Sequence, residues 1–397
     1  MAVDPMTASA AEPRSNTARL GLLALVLLHL ALLAGLAWYL NRQPSGHWSH
    51  VERGRRYLAQ GRPDLAFREV QHIRDEAPGA AEAMTVAGQA LLTQGQVVVA
   101  RQALQRALAL NPDQPDAAKM LAAIYIASGD ATRGIELLER AAALDPRDFR
   151  PWYALGKVRH DLGEFDAAAE AYAKALRLGA PGTEAREARI GRIRALLDAN
   201  RAEEAAAELD DARARLPNEP RLAALEARAA RATGNLDRAL DRAEAALRLN
   251  PDDFDALYVR AQIRQIRGDR SAALADLERA HSLNRNHLGT LQLMLQLQAQ
   301  LGLTAEAEET RARLERTRQR LDMMNTLTKL IHQNPEDPLP RYQMGQLAVE
   351  GGLDALAFRC FQAALDLDPK FQLARDALAK LPPEAANQSN APSAPRN

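Results

Sequence analysis

Residues 149–181 read FRPWYALGKVRHDLGEFDAAAEAYAKALRLGAP, and this stretch decides the fold. Trp152, Leu155 and Gly156 set out W-x2-L-G; twelve residues further on, Ala168 and Tyr172 give A-x3-aromatic, followed by Ala175. Gly163 suits the end of a first helix, because a tight turn there wants a positive φ. A small residue at Ala168 lets the two helices approach closely, and a proline beyond the second helix stops it, having no N–H to donate.

The same unit recurs along the chain. Gly61, Gly95, Gly129 and Gly163 are 34 residues apart, as are Gly234, Gly268 and Gly302. Pro78, Pro112 and Pro146 keep that step, and so do the pairs Pro217–Pro251 and Pro335–Pro369. The small residue opening the second helix returns as Ala66, Ala100, Gly134, Ala168, Ala205, Ala239, Ala273, Ala307 and Ala357. Asn111-Pro112, Asp145-Pro146, Asn250-Pro251 and Asp368-Pro369 mark the turn into the following unit. Three registers held at one period resemble the tetratricopeptide family, whose unit is a 34-residue helix–turn–helix. The resemblance implies an all-α fold: a right-handed α-solenoid of about nine repeats, each burying its apolar face only by stacking on its neighbours.

Outward from the repeats, residues 1–18 are rich in Ala, Ser, Thr and Pro and read as a disordered tail. Residues 20–40, with Leu20 and Leu40 at the ends, hold one histidine and no charge. The run is long enough to span a bilayer at about 1.5 Å per residue. Arg19 and Arg42 bracket it, and Trp38 and Tyr39 sit where an interfacial aromatic belt belongs. The expectation is a single-pass transmembrane helix over 19–41, preferred to a cleaved signal peptide because the run exceeds a usual signal core. Arg14 and Arg19 before the span favour a cytoplasmic N-terminus with translocated, extracytoplasmic repeats; counting Arg53, Arg55 and Arg56 reverses that choice. A linker covers 42–46, and repeats 1–4 cover 47–182.

Asn200 stands where the next turn glycine belongs, 37 residues after Gly163. Three extra residues therefore enter between Gly179 and Thr183, read as a longer turn or as a joint between two sets of repeats. Repeats 5–8 fill 183–303. The step from Gly302 to Gly352 is 50, and residues 304–333 contain neither Gly nor Pro, so they predict one extended second helix of repeat 8. Its end carries an apolar stripe through Leu314, Leu321, Met324 and Ile331, readable as a protruding self-association arm or as cover for the last repeat. The last repeat and a capping helix occupy 334–381, and 382–397 is a Pro-, Asn- and Ser-rich tail.

The function classes narrow from here. Lys+Arg and Asp+Glu both number 51, a balance that argues against a nucleic-acid binder. Cys360 stands alone, so no intrachain disulfide and no cysteine metal cluster forms. His47 and His50 have helical spacing, but no further ligands complete a metal site. No nucleophile, phosphate-loop or dinucleotide motif occurs, and repeats, span and tails account for the sequence; no catalytic residue, cofactor or metal is expected. In the tetratricopeptide family the first helix of each repeat lines a concave groove for partner peptides. Carried onto this register, that face presents a short basic ladder, Lys157, Arg194 and Arg228, with Arg231 beside it, Tyr153 and Tyr258 at its ends, and Gln262 beyond. Cations and aromatics in a groove suit an acidic or carboxylate-ended peptide. The expectation is a membrane-tethered scaffold or adaptor that binds other proteins, with envelope assembly suggested by resemblance of layout. Its rivals are a self-associating structural scaffold using 304–333 and a non-catalytic accessory subunit of a membrane enzyme.

Overall fold

The computed structural model describes residues 46–385. The expected membrane span over 20–40 lies outside the described residues, as do the two tails for most of their length. Among the described residues, no helix is long and apolar enough to cross a membrane.

The described chain forms nineteen α-helices and no strand. They pair as α1 Gly46–Ala59 with α2 Pro63–Val70, α3 Ala80–Thr93 with α4 Val97–Leu110, α5 Pro115–Ala127 with α6 Ala131–Leu144, and α7 Arg150–Asp161 with α8 Phe165–Arg177. There follow α9 Gly182–Asp198 with α10 Ala202–Arg215, α11 Arg221–Ala232 with α12 Leu236–Leu249, and α13 Phe254–Ile266 with α14 Arg270–Leu283. The last pairs are α15 Leu288–Gln300 with α16 Thr304–Gln333 and α17 Pro338–Glu350 with α18 Asp354–Leu367, and α19 Gln372–Ala379 closes the array.

The period is written in local chemistry. At the first-to-second helix turn of repeat 4, Glu164 N–H donates to the Arg159 carbonyl and Gly163 N–H to that of His160, at 2.9 and 3.0 Å, the Schellman pattern. Asn200, with φ of 61°, closes α9 by the same two bonds, from Arg201 N–H to Leu196 and from Asn200 N–H to Leu197. Asparagine tolerates the left-handed region, so the sequence could depart from glycine here. The Asn/Asp-Pro pairs work as Asx turns: Asn111, Asp145, Asn250 and Asp368 each accept a backbone N–H from two residues on.

Gly156 serves packing rather than the turn. A Cβ there would lie 2.6 Å from the Tyr172 ring, and a Cβ at Gly191 of the next repeat would meet the same ring at 2.6 Å. Tyr172 is thus a buried wedge gripped between two helix backbones. Gly88 faces Leu104 in the same way, at the same sixteen-residue separation. The small residues opening the second helices are buried as well, Ala66, Ala100, Ala168, Ala205, Ala239, Ala273 and Ala357 all fully.

The three extra residues lengthen α9 at its start instead of its turn. Stacking continues across them, since Ala168 and Tyr172 share one core with Ala188, Ala195 and Leu196. Helix α16 has the predicted bounds, but its apolar end does not protrude. Leu327 and Ile331 are buried against Met344, with Met324, Leu347 and Cys360 around them. The stripe covers the last repeat, and the expectation of a free arm there is corrected.

The solenoid also meets itself. Arg341, only 3% exposed, donates from Nε to the Ser128 carbonyl at 2.9 Å, 213 residues away. Beside it Ile331 sits 3.8 Å from where a Gly129 Cβ would stand, Arg133 approaches Glu336 at 3.9 Å, and α18 touches α4. The ninth repeat is clasped to the turn of the third.

Candidate functional site

First helices of consecutive repeats pack side by side, so residues at equivalent register share one face. On that face a cavity of about 450 Å³ opens across α7, α9, α11, α13 and the start of α15. Of the seven groove residues expected from sequence, Arg228, Arg231, Tyr258 and Gln262 line it. Tyr153 and Lys157 do not; Tyr153 packs edge-on against Tyr172 with ring centroids 6.2 Å apart. Arg194 does not line the cavity either, although it lies in the field of Asp255, Asp198 and Arg228.

One rung of the basic ladder, Arg228, is neutralised within the fold. Asp198 stands between His160 Nε2 at 3.0 Å and Arg228 Nη2 at 2.5 Å, and Asp255 approaches the other arm of Arg228 at 3.6 Å. Burial works against ionised Asp198, but the hydrogen bond from His160 and the charge of Arg228 outweigh it and hold its carboxyl below the usual range. Burial likewise opposes the Arg228 charge, and the two aspartates overcome that to raise its pKa. Arg194 has no such bonded partner among the described residues: burial pulls its pKa down, with Arg228 adding like-charge repulsion against the attraction of Asp255 and Asp198. Arg228 is thus held by two carboxylates of the fold rather than standing as a free cation.

What remains uncommitted is narrower and better placed. Arg231 Nε and Gln262 Oε1 are buried, and neither finds a hydrogen-bond partner within the described protein. One is a donor and the other an acceptor, and both belong to residues lining the cavity. Next to them lies an aromatic wall. Phe254 and Tyr258 stack at 6.1 Å with planes 11° apart, and His287 meets each edge-on at 4.9 Å. His287 is fixed because its Nδ1 accepts the Thr290 N–H at 3.0 Å, capping α15. Burial and the nearby Arg228 push its pKa down despite Asp255, so it stands neutral with the proton on Nε2. Tyr258 is pushed up by burial. Phe254, His287, Asp198 and Asp255 were missed from sequence, whereas Tyr258 was expected; Asp198, four residues after Arg194 on one helix face, was the available signal.

The Thr290 hydroxyl also lies 2.8 Å from His287 Nδ1, as part of the same cap. Among the described residues no group of three or more His, Cys, Asp or Glu could hold a metal ion. His50, half of the sequence's histidine pair, has its Nδ1 2.7 Å from Glu69 Oε2 instead.

Two family models, both described as tetratricopeptide repeat, match this chain: one over residues 91–158 and 125–184, the other over 51–115 and 225–284. The matched stretches are tetratricopeptide repeats. Repeats of this family mediate protein–protein interactions, and the fold is typically a non-catalytic scaffold. No curated protein matches the chain. Among solved structures, a tetratricopeptide repeat protein from Parabacteroides merdae is 16% identical, with a TM-score of 0.42 over 63% of this chain and 98% of its own. PilF of Pseudomonas aeruginosa is 17% identical, with a TM-score of 0.42 over 55% of this chain and 97% of its own. YrrB, described as having an unusual peptide-binding site, is 20% identical, with a TM-score of 0.38 over 48% of this chain and 97% of its own. At these identities the likeness concerns the fold alone.

Proposed function

We propose that this protein is a membrane-tethered tetratricopeptide adaptor that holds a segment of a partner protein in its inner groove. The observation that carries the reading is the buried donor–acceptor pair, Arg231 Nε and Gln262 Oε1, beside the Phe254–Tyr258–His287 wall. A buried polar group without a partner costs about 1–3 kcal/mol, so a ligand that supplies both partners recovers that cost on binding. A peptide unit carries a C=O for Arg231 and an N–H for Gln262, and a neighbouring apolar side chain fits the wall. The positive charge on Arg231 favours a carboxylate close by, which makes the ligand an acidic or carboxylate-ended segment. Tethering rests on the apolar run 20–40 and its arginine and aromatic flanks. The flanking arginines favour repeats on the extracytoplasmic side, where the partner belongs to an envelope-assembly complex.

The test is crosslinking and affinity capture of the full chain from membranes, compared with Arg231→Glu. A defined partner recovered with the first and lost with the second supports the reading. Equal recovery with both rejects it. The tether is checked separately: the full chain stays with membranes after alkaline extraction, and a chain lacking residues 1–45 does not.

A further inference from the structure

A second site arises from the irregularity of repeat 8. Second helices α4 to α14 run 13 or 14 residues, whereas α16 runs 30. Its start pairs with α15 and its end with α17, so its middle passes between two repeats. There a cleft of about 980 Å³ opens, with the α14–α15 loop as one wall and the α17–α18 turn as the other. The walls are riveted together: Asn286 Nδ2 donates to the Gly351 carbonyl at 2.9 Å, and Arg320 Nη2 donates to Asn286 Oδ1 at 2.5 Å. The cleft is therefore a fixed feature of the fold rather than a gap between loose ends.

Its chemistry is one-sided. Arg285, Arg316 and Arg320 line it and none of them makes an ion pair among the described residues, while of the two lining carboxylates Glu309 is already held by Arg313 at 2.5 Å. His281 adds a donor. Its Nε2 accepts from Arg313 Nη1 at 3.2 Å, and burial with Arg313 and Arg285 pushes its pKa down, so the ring is neutral and its proton sits on Nδ1. That buried Nδ1 meets no acceptor within the described protein. Between the arginines lie Met323 and Val349, 54% and 45% exposed, an apolar floor ringed by positive charge.

We propose that this cleft docks an acidic segment of a partner protein, with carboxylates on Arg285, Arg316 and Arg320 and an apolar side chain on Met323 and Val349. Charge complementarity selects this occupant. The chain's own C-terminal stretch 386–397 contains neither Asp nor Glu and does not supply it. The site is separate from the inner groove and shares none of its residues, so one adaptor holds two partner elements at once.

The experiment uses the full chain in detergent and a fluorescein-labelled dodecapeptide of glutamates around a central leucine. Its counterpart replaces every glutamate with glutamine. Fluorescence anisotropy at low salt reads the affinity. Arg285 and Arg316 are exposed, so the double variant R285E/R316E retains the fold, which circular dichroism checks. Saturable binding of the acidic peptide is expected, measured in an R231E background so that the inner groove does not contribute, and is weakened about tenfold or more in the double variant. Absence of saturable binding, equal affinity for the glutamine peptide, or equal affinity of the double variant overturns the proposal. So does a concentration-dependent dimer that R285E/R316E dissociates, since the occupant is then a second copy.

Discussion

Replacing Gly156 by alanine tests the packing logic of the repeat. The added methyl would lie 2.6, 2.7 and 2.8 Å from three carbons of the Tyr172 ring. The ring has little room to yield, because the Gly191 backbone closes on its far edge, where even a Cβ would stand only 2.6 Å from it. Either α7 and α8 separate or the contact with α9 opens. Overpacking of this kind costs about 1–3 kcal/mol. Trp152, one turn before Gly156 on the same helix, gives a local probe, and only Trp38 and Trp48 must be changed to phenylalanine to isolate it. Urea unfolding followed by Trp152 fluorescence then reports on repeat 4. Tyr172→Ala alone should cost about 3–5 kcal/mol as a cavity. The decisive variant carries both changes. With the ring gone, the new methyl has nothing to strike, so the double variant should be no less stable than Tyr172→Ala and the two costs should fall short of additive by 1 kcal/mol or more, within the range of about 0.5–3 kcal/mol found for residues in contact. Additivity would refute the wedge and mean that Gly156 is required for its backbone instead.

Three further outcomes follow from the geometry. Arg341→Ala removes the clasp and leaves the Ser128 carbonyl without its donor, a loss of about 1–3 kcal/mol; small-angle scattering should show a larger radius of gyration, and an unchanged profile would show that the closure does not depend on this arginine. Arg228→Ala should destabilise the fold by as much as about 3 kcal/mol, because Asp198 and Asp255 lose their shared counter-charge; a variant that melts like the wild type and loses only partner binding would contradict the structural role given to Arg228. His281 and His287 have folded pKa values below the ordinary value of about 6.5. Their contribution to stability is complete above that value and is lost as pH falls from it through the folded values, so the urea midpoint should drop between about pH 7 and 5. Asparagine at both positions, which keeps the cap at 287, should flatten that drop, and an identical slope would sink the assignment.

The fold was legible because its signals are local. A turn glycine, an Asx turn at Asn/Asp-Pro and a small residue opening the second helix each depend on a few neighbours, so the pattern survives where Asn200 replaces glycine. Helix α16 was legible to its ends because nothing between 304 and 333 can stop a helix. The role of Gly156 was not, since its reason is a ring sixteen residues on. The groove was legible as a face but not as a site. Register placed the arginines of successive first helices in line, yet their counter-charges come from other repeats: Asp198 is 30 residues before Arg228, and Asp255 is 27 after it. Pairing of that kind depends on how far one repeat rotates on the next. The clasp between Arg341 and Ser128 lies further still from sequence, because it sums that rotation over six repeats.

The most direct test of the adaptor reading places a photocrosslinking amino acid, p-benzoylphenylalanine, at Leu162. This side chain lines the inner cavity yet is 43% exposed, so the probe enters the groove without disturbing the core. Irradiation of the full chain in membranes should give one discrete heterologous adduct, which disappears when Arg231→Glu is added. An adduct that persists in the Arg231 variant, or no adduct at all, would contradict a partner segment held between Arg231, Gln262 and the aromatic wall.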